Sequence, residues 1–238
     1  MSSETEAQQG QPHDTADAAR AARPPSDRVR LRRKRERGSH QRSVIDAILD
    51  EALIAHLGIV QDGQPFVVPT LHARCGDLVY CHGSAASRTL RALAAGAPAC
   101  LTVSLIDGLV LARSAMHHSA NYRSVMLLGT ARLVTAEQEK LTALRAVVEH
   151  VVPGRWEDVR APTAKELAAT AVLALAVEEA SAKVRTGGPV DDEEDYALEA
   201  WAGVIPLARS ALAPLPDARL RAGIPVPAYA HDYGRPGG

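Results

Sequence analysis
The chain has 238 residues, enough for one large domain or two small ones around a proper hydrophobic core. Apolar residues make up 46% and charged residues 23%, and a net charge of −1 excludes a global field that would recruit nucleic acid or an acidic surface. Three cysteines (Cys75, Cys81, Cys100) lack C-x-x-C spacing and an even count, which excludes a disulfide framework and predicts free thiols in a reducing cytoplasm.

With one Phe and two Trp, the core must be built from Val, Leu, Ile and Ala. No N-terminal apolar run of signal-peptide length is present, and no uncharged stretch reaches about 18 residues, so a cytoplasmic protein is expected. Residues 1 to about 27 are polar and rich in Ala, Gln and Pro, which predicts disorder. RVRLRRKRERG follows, with seven Lys or Arg between Arg28 and Arg37. A nucleic-acid or phosphate-binding arm is one reading of it. Because no aromatics interleave with the charges, a solvated lead-in to the first helix is preferred.

From Ser43, VIDAILDEALIAHL places Val44, Ile45, Ile48, Leu49, Ala52 and Leu53 on one broad face of a helix capped by Ser43. The period then changes. HLGIVQ, QPFVVPTLHAR and LVYCHG, separated by turns at Asp62-Gly63 and Cys75-Gly76-Asp77, read as three antiparallel strands. Pro69 removes a ladder donor, so its strand lies at an edge or bulges there. SRTLRALAAG is a short helix stopped by Gly96 and Pro98. CLTVSLID and GLVLARS form a strand pair around Asp107-Gly108, and YRSVMLLGTARLV a long strand with a bulge at Gly129. Thr135 caps AEQEKLTALRAVVEHVV, and Thr163 opens TAKELAAT. AVLALAVEEASAKVRTG reads as strand, with helix left open by its Ala content, and YALEAWAGVIPL returns to strand. Beyond Arg209 a Pro- and Gly-rich tail is loosely attached.

The expected organisation is an N-terminal extension with a basic arm at 1–38, a folded domain at 39–209 and a tail at 210–238. Six or seven strands at hairpin spacing, with helices between pairs, predict a mainly β, α+β architecture: an antiparallel barrel decorated by helices. No G-x-G-x-x-G or P-loop is present, which disfavours dinucleotide and NTP folds of that kind.

His82-Gly83-Ser84-Ala85-Ala86-Ser87-Arg88 sits where a strand hands over to a helix. Unpaired backbone N–H groups, the hydroxyls of Ser84 and Ser87 and the Arg88 guanidinium suit a phosphate. Plain capping by Ser87 beside a surface arginine explains the same residues, and both readings stay open at this point. Arg123 and Ser124 begin an otherwise apolar strand, and a half-buried arginine needs an anion, either phosphate or carboxylate.

Together, GQPFVVPTLHARCGDLVYCHGSAASRTLRAL, IDGLVLARSAMHHSANYRSVMLLGTARLV and WAGVIPL resemble the FMN-binding split-barrel proteins. The similar branch is the pyridoxamine 5'-phosphate oxidase-like one that includes the nitroimidazole-resistance (Nim) flavoproteins, over roughly residues 40 to 208. The resemblance implies FMN as cofactor. Val68, Pro69 and Thr70 would face the polar edge of the isoalloxazine, and His82, Gly83 and Ser84 would lie along the flavin. Ser87 and Arg88 would take its phosphate, with Arg123 and Ser124 at the start of the matching strand. It also implies a homodimer with each flavin at the interface and Trp201 supplied near the ring by the other subunit. Two features depart from the oxidases. The tail has no R-x-H type motif, and His72 stands where that family has Lys. Pyridoxamine phosphate oxidation is therefore not expected.

The expected activity is an FMN-dependent oxidoreductase acting on a small aromatic or nitro-aromatic compound, with His82 or His118 as proton donor. A non-catalytic flavin sensor and a haem-binding or haem-degrading protein of the same barrel are the alternatives. The histidines show no ligand spacing with carboxylates or thiolates, so no metal is expected. Glu178, Glu179 and the DDEED loop read as solvated acid.

Overall fold
The computed structural model describes residues 24–234. Of the segment expected to be disordered, 1 to about 27, residues 1–23 lie outside the described residues. Ten strands form one antiparallel sheet: β1 (Gly38–Ser39), β2 (Ile54–Gln61), β3 (Gln64–Cys75), β4 (Leu78–Ser84), β5 (Pro98–Leu111), β6 (Ser119–Thr130), β7 (Arg132–Leu133), β8 (Thr170–Ala176), β9 (Glu179–Arg185) and β10 (Gly203–Pro206). Their order is β1-β9-β6-β5-β2-β3-β4-β8-β7, with β10 on the second edge of β5. No pairing joins the two ends of this path among the described residues, so the barrel is open. Five α-helices decorate it among the described residues: α1 (Arg42–Glu51), α2 (Arg88–Ala94), α3 (Glu137–Val151), α4 (Ala164–Ala169) and α5 (Ala228–His231). The expected mainly β, helix-decorated barrel is borne out. No helix among the described residues is long and apolar enough to cross a membrane.

Strand alternation builds the core. Leu57, Ile59, Leu101, Val103, Val125 and Leu127 point inward and meet Ile45, Ile48 and Leu49 from the apolar face of α1. Leu101 is completely buried. Leu101→Ala is expected to lower the unfolding free energy by about 2–5 kcal/mol, read from the urea midpoint. Cys81 is buried in this core, and burial pushes its thiol up to about 12. All three cysteines are free.

Several boundaries differ from the sequence-based expectation. β5 is one strand rather than a hairpin around Asp107-Gly108. It pairs with β6 on both sides of that dipeptide and absorbs it as a bulge between Ile106 and Gly108. Gly129 is not bulged; it pairs in register with Ala99, and a Cβ there would lie 2.9 Å from Leu175 Cδ1. The run AVLALAVEEASAKVR holds two strands that part company: β8 joins β4 while β9 joins β6. Thr135 does not cap α3, which starts two residues later, because the Val134 N–H is still bonded to Val172. α1 starts at Arg42, so Ser43 is not its cap. α4 does open on a capping box between Thr163 and Glu166.

Both flanking segments are held more firmly than composition suggests. Val29 is 1% exposed, Arg28 pairs with Glu179, and Gly38–Ser39 adds β1 to β9. In the tail, the Tyr233 hydroxyl donates to Val151 O at 2.8 Å and the Tyr229 hydroxyl to Asp158 at 2.6 Å.

The feature that shapes the site is where β3 and β4 separate. β3 pairs with β2 over Gln64–Leu71, but with β4 only over His72–Cys75. β4 pairs with β8 along its whole length, and beyond Cys81 that is its one strand partner: His82, Gly83 and Ser84 face Val172, Ala171 and Thr170 with no β3 residue opposite. The second edge of β3 from Gln64 to Leu71 is therefore bare, and Pro69 sits on it, as its missing donor requires.

Candidate functional site
The opening between the bare edge of β3 and the end of β4 is the mouth of the barrel. Val68, Pro69 and Thr70 lie on one side of it. His82, Gly83 and Ser84 lie on the other, and the chain then runs through Ser87 into α2. Arg88 leans back across the gap, its guanidinium carbon 4.7 Å from the centre of the Phe66 ring on β3. It makes no ion pair among the described residues.

The hydroxyls in the turn already have local work. Ser84 Oγ accepts the Ala86 N–H at 3.2 Å, and Ser87 Oγ accepts the Leu90 N–H at 3.4 Å as the cap of α2. Each keeps its own O–H to donate. Gly83 has a packing reason: a Cβ there would lie 2.9 Å from Leu90 Cδ1. The charge in this turn comes from one group, the Arg88 guanidinium.

Arg123 meets carboxylate, one of the two anions its position in the sequence calls for. It finds its anions inside the fold, donating to both oxygens of Glu51 and both oxygens of Asp107. The β5 bulge presents Asp107, and the last turn of α1 presents Glu51. A guanidinium so engaged ties helix to sheet and has no edge left for a cofactor phosphate. Arg123→Met is expected to cost about 1–3 kcal/mol of stability by leaving two carboxylates facing each other, with no loss of flavin retention. Chemical denaturation and flavin extraction check the two halves separately. Ser124 also lies away from the mouth, on β6, with Oγ 3.4 Å from Lys183 O.

Trp201 is 68% exposed and lies over Gly203 just before β10. Ile106 and Leu109 on β5 and Ile205 on β10 are also exposed. His118 is not brought together with His82. It is exposed on the loop before β6, with Nδ1 3.0 Å from Ser114 O.

His82 has a different environment. It lines a cavity of about 430 Å³ between β4, β8 and the helices α3 and α4. Leu144, Val147, Val148, Trp156, Val159 and Leu167 supply its apolar walls. Nδ1 of His82 is buried without a hydrogen-bond partner, and burial pushes the imidazole below its ordinary range. Burial thus favours the uncharged ring, and Nδ1 is left without a committed partner. Arg160 stands at the same cavity but is paired with Glu166 at 2.6 Å.

Phe66, Trp156 and the α3 wall escaped the sequence reading. Scarcity of aromatics was the available signal for the first two. The 144/147/148 spacing was the signal for the third, although nothing in it shows that the helix lies over a cavity and not the core.

Residues 41–184 match the family model described as pyridoxamine 5'-phosphate oxidase. The chain is similar to the flavocytochrome Anf3 from Azotobacter vinelandii, at 48% identity over 89% of this chain and 99% of that one, with a TM-score of 0.84. It is similar to an FAD and haem binding protein from Mycobacterium smegmatis, at 41% identity over 84% and 98%, with a TM-score of 0.80. A structure named for 5-nitroimidazole antibiotic resistance from Bacteroides thetaiotaomicron shares the fold, at 23% identity over 60% and 84%, with a TM-score of 0.52. A search of curated proteins finds no match.

Proposed function
The chain belongs to the pyridoxamine 5'-phosphate oxidase family, and on that premise we propose that it is an oxidoreductase holding a flavin at the barrel mouth and a haem beside it. The carrying observation is His82, an uncharged imidazole with a buried, unpartnered nitrogen on an apolar cavity of about 430 Å³. That volume falls within the range of small-molecule sites, and a lone neutral His among apolar walls is a donor set for haem iron. The two relatives above 40% identity add support: one is a flavocytochrome and the other binds FAD and haem.

His82 would hold the haem iron through its imidazole, in place of the proton-donor role expected from sequence. Leu144, Val147, Val148 and Trp156 would enclose the macrocycle and exclude water. At the mouth, Val68, Pro69 and Thr70 would offer backbone groups to the isoalloxazine edge, while Arg88, held on Phe66, would take a flavin phosphate. FAD is preferred to FMN because of the M. smegmatis relative; both carry that ring and that phosphate. The flavin supplies hydride or single-electron transfer, and the haem iron exchanges single electrons. A second copy of the chain would cover the exposed Trp201, Ile106, Leu109 and Ile205 and complete the flavin site from the other side.

Acid extraction and chromatography of the bound flavin test the mouth. FAD is expected; FMN would restore the sequence-based cofactor, and a protein that takes up neither flavin would end the proposal. Light scattering is expected to give a dimer mass, and a monomer with full flavin content would overturn the shared site. Haem-free protein that reduces a nitro-aromatic compound through its flavin would return the activity to the one expected from sequence.

A further inference from the structure
We propose that His117, Asp191 and Asp195 form a site for one divalent transition-metal cation, apart from the mouth and the His82 cavity. One ligand atom from each of the three lies within 4.8 Å of the others. These residues are far apart in sequence, and the DDEED loop reads there as plain solvated acid. The fold folds that loop against the turn that follows β5.

Asp191 is the anchor. Its carboxylate is fully buried, accepts the backbone N–H groups of Arg113 at 3.0 Å and Ser114 at 3.4 Å, and takes Nη1 of Arg113 at 3.0 Å. Arg113 in turn lies against the Tyr196 ring, 4.8 Å from its centre. Supporting bonds of this kind are what orient a metal-binding carboxylate.

His117 faces the acid from the other side, its side chain 30% exposed and its Nε2 3.9 Å from Asp192 Oδ2. Its Nδ1 is buried without a hydrogen-bond partner, 3.7 Å from Asp191 Oδ1. That gap exceeds a hydrogen bond. It is close to the separation of two ligands on one ion: with bonds of about 2.0–2.2 Å, tetrahedral neighbours stand roughly 3.3–3.6 Å apart. Asp195, half-buried on the helical turn Glu193–Ala197, brings the third ligand atom within 4.8 Å of the other two. The single cation Arg113 does not offset Asp191, Asp192, Glu193, Glu194 and Asp195, so a dication meets net negative charge. Imidazole with carboxylates suits zinc, iron or manganese better than calcium. Once bound, the ion would pin the turn that carries His117 and His118 into β6.

Calorimetric titration of Zn²⁺ into the full chain, with and without H117Q and D195N, is the test. The wild type is expected to show one site per chain, weakened at least about tenfold in each variant. Zn²⁺ should also raise the melting temperature of the wild type and not of the variants. Asp191 is left intact because it holds Arg113. Far-UV circular dichroism and unchanged flavin content establish that both variants fold. Equal zinc binding by wild type and variants, or no saturable binding by the wild type, overturns the site.

Discussion

His82→Ala is expected to abolish haem retention while leaving flavin retention intact. The imidazole contributes the one uncharged nitrogen donor on the walls of its cavity, and Nδ1 has no hydrogen bond to lose. Removing it would take away the nitrogen that would hold the iron, leaving the apolar walls of Leu144, Val147, Val148 and Trp156 and the paired Arg160 and Glu166. The loss should exceed the roughly 10–100-fold that removal of a merely supporting partner costs a metal site. Titration with hemin, followed at the Soret band, measures it. Exogenous imidazole should enter the vacated space and restore the band in the variant, a readout that general unfolding would not give. An H82A protein with the wild-type Soret position and affinity would place the haem ligand elsewhere.

The second large effect falls on flavin. Arg88→Ala is expected to weaken flavin binding by about 10–100-fold, the worth of one charge-assisted bond to phosphate. The fold should hardly notice, within about 0.5 kcal/mol, because Arg88 has no carboxylate partner and stacks only on Phe66. Phe66→Leu should give a smaller loss by freeing the guanidinium to wander. Flavin fluorescence quenching on titration separates the two. Unchanged affinity in R88A would move the phosphate away from the 84–88 turn and take the mouth assignment with it.

The contrast between Arg88 and Arg123 shows how far the sequence reaches. Both arginines read as anion binders, and only Arg123 meets its anions within the described residues. Arg123 meets Glu51 and Asp107, carboxylates from a helix end and a strand bulge that local pattern cannot bring together. The same limit explains β5. Asp107-Gly108 has the residues of a hairpin turn, and only β6 and β10, pairing on either side, keep the strand running. Likewise β8 and β9 are continuous as an apolar run, and their destinations at different places in the sheet are a property of topology.

What was legible rested on short-range physics. Period-two alternation located β2, β3 and β4, Pro69 marked the bare edge of β3, and Ser87 and Thr163 marked the caps of α2 and α4. The split mouth follows from those pieces. The His82 cavity does not, because its far wall comes from α3 and the Trp156 turn, which the chain adds long after β4. The acid around Asp191 stayed invisible as a ligand set for the same reason: its histidine arrives from the other side of the sheet sequence.

The most direct measurement is the absorption spectrum of the full chain purified from cells supplied with haem, with flavin and haem each quantified after extraction. One flavin and one haem per chain are expected, with a Soret band superimposed on flavin absorption. A folded, dimeric protein that carries neither group, and takes up neither FAD nor hemin on titration, would contradict it.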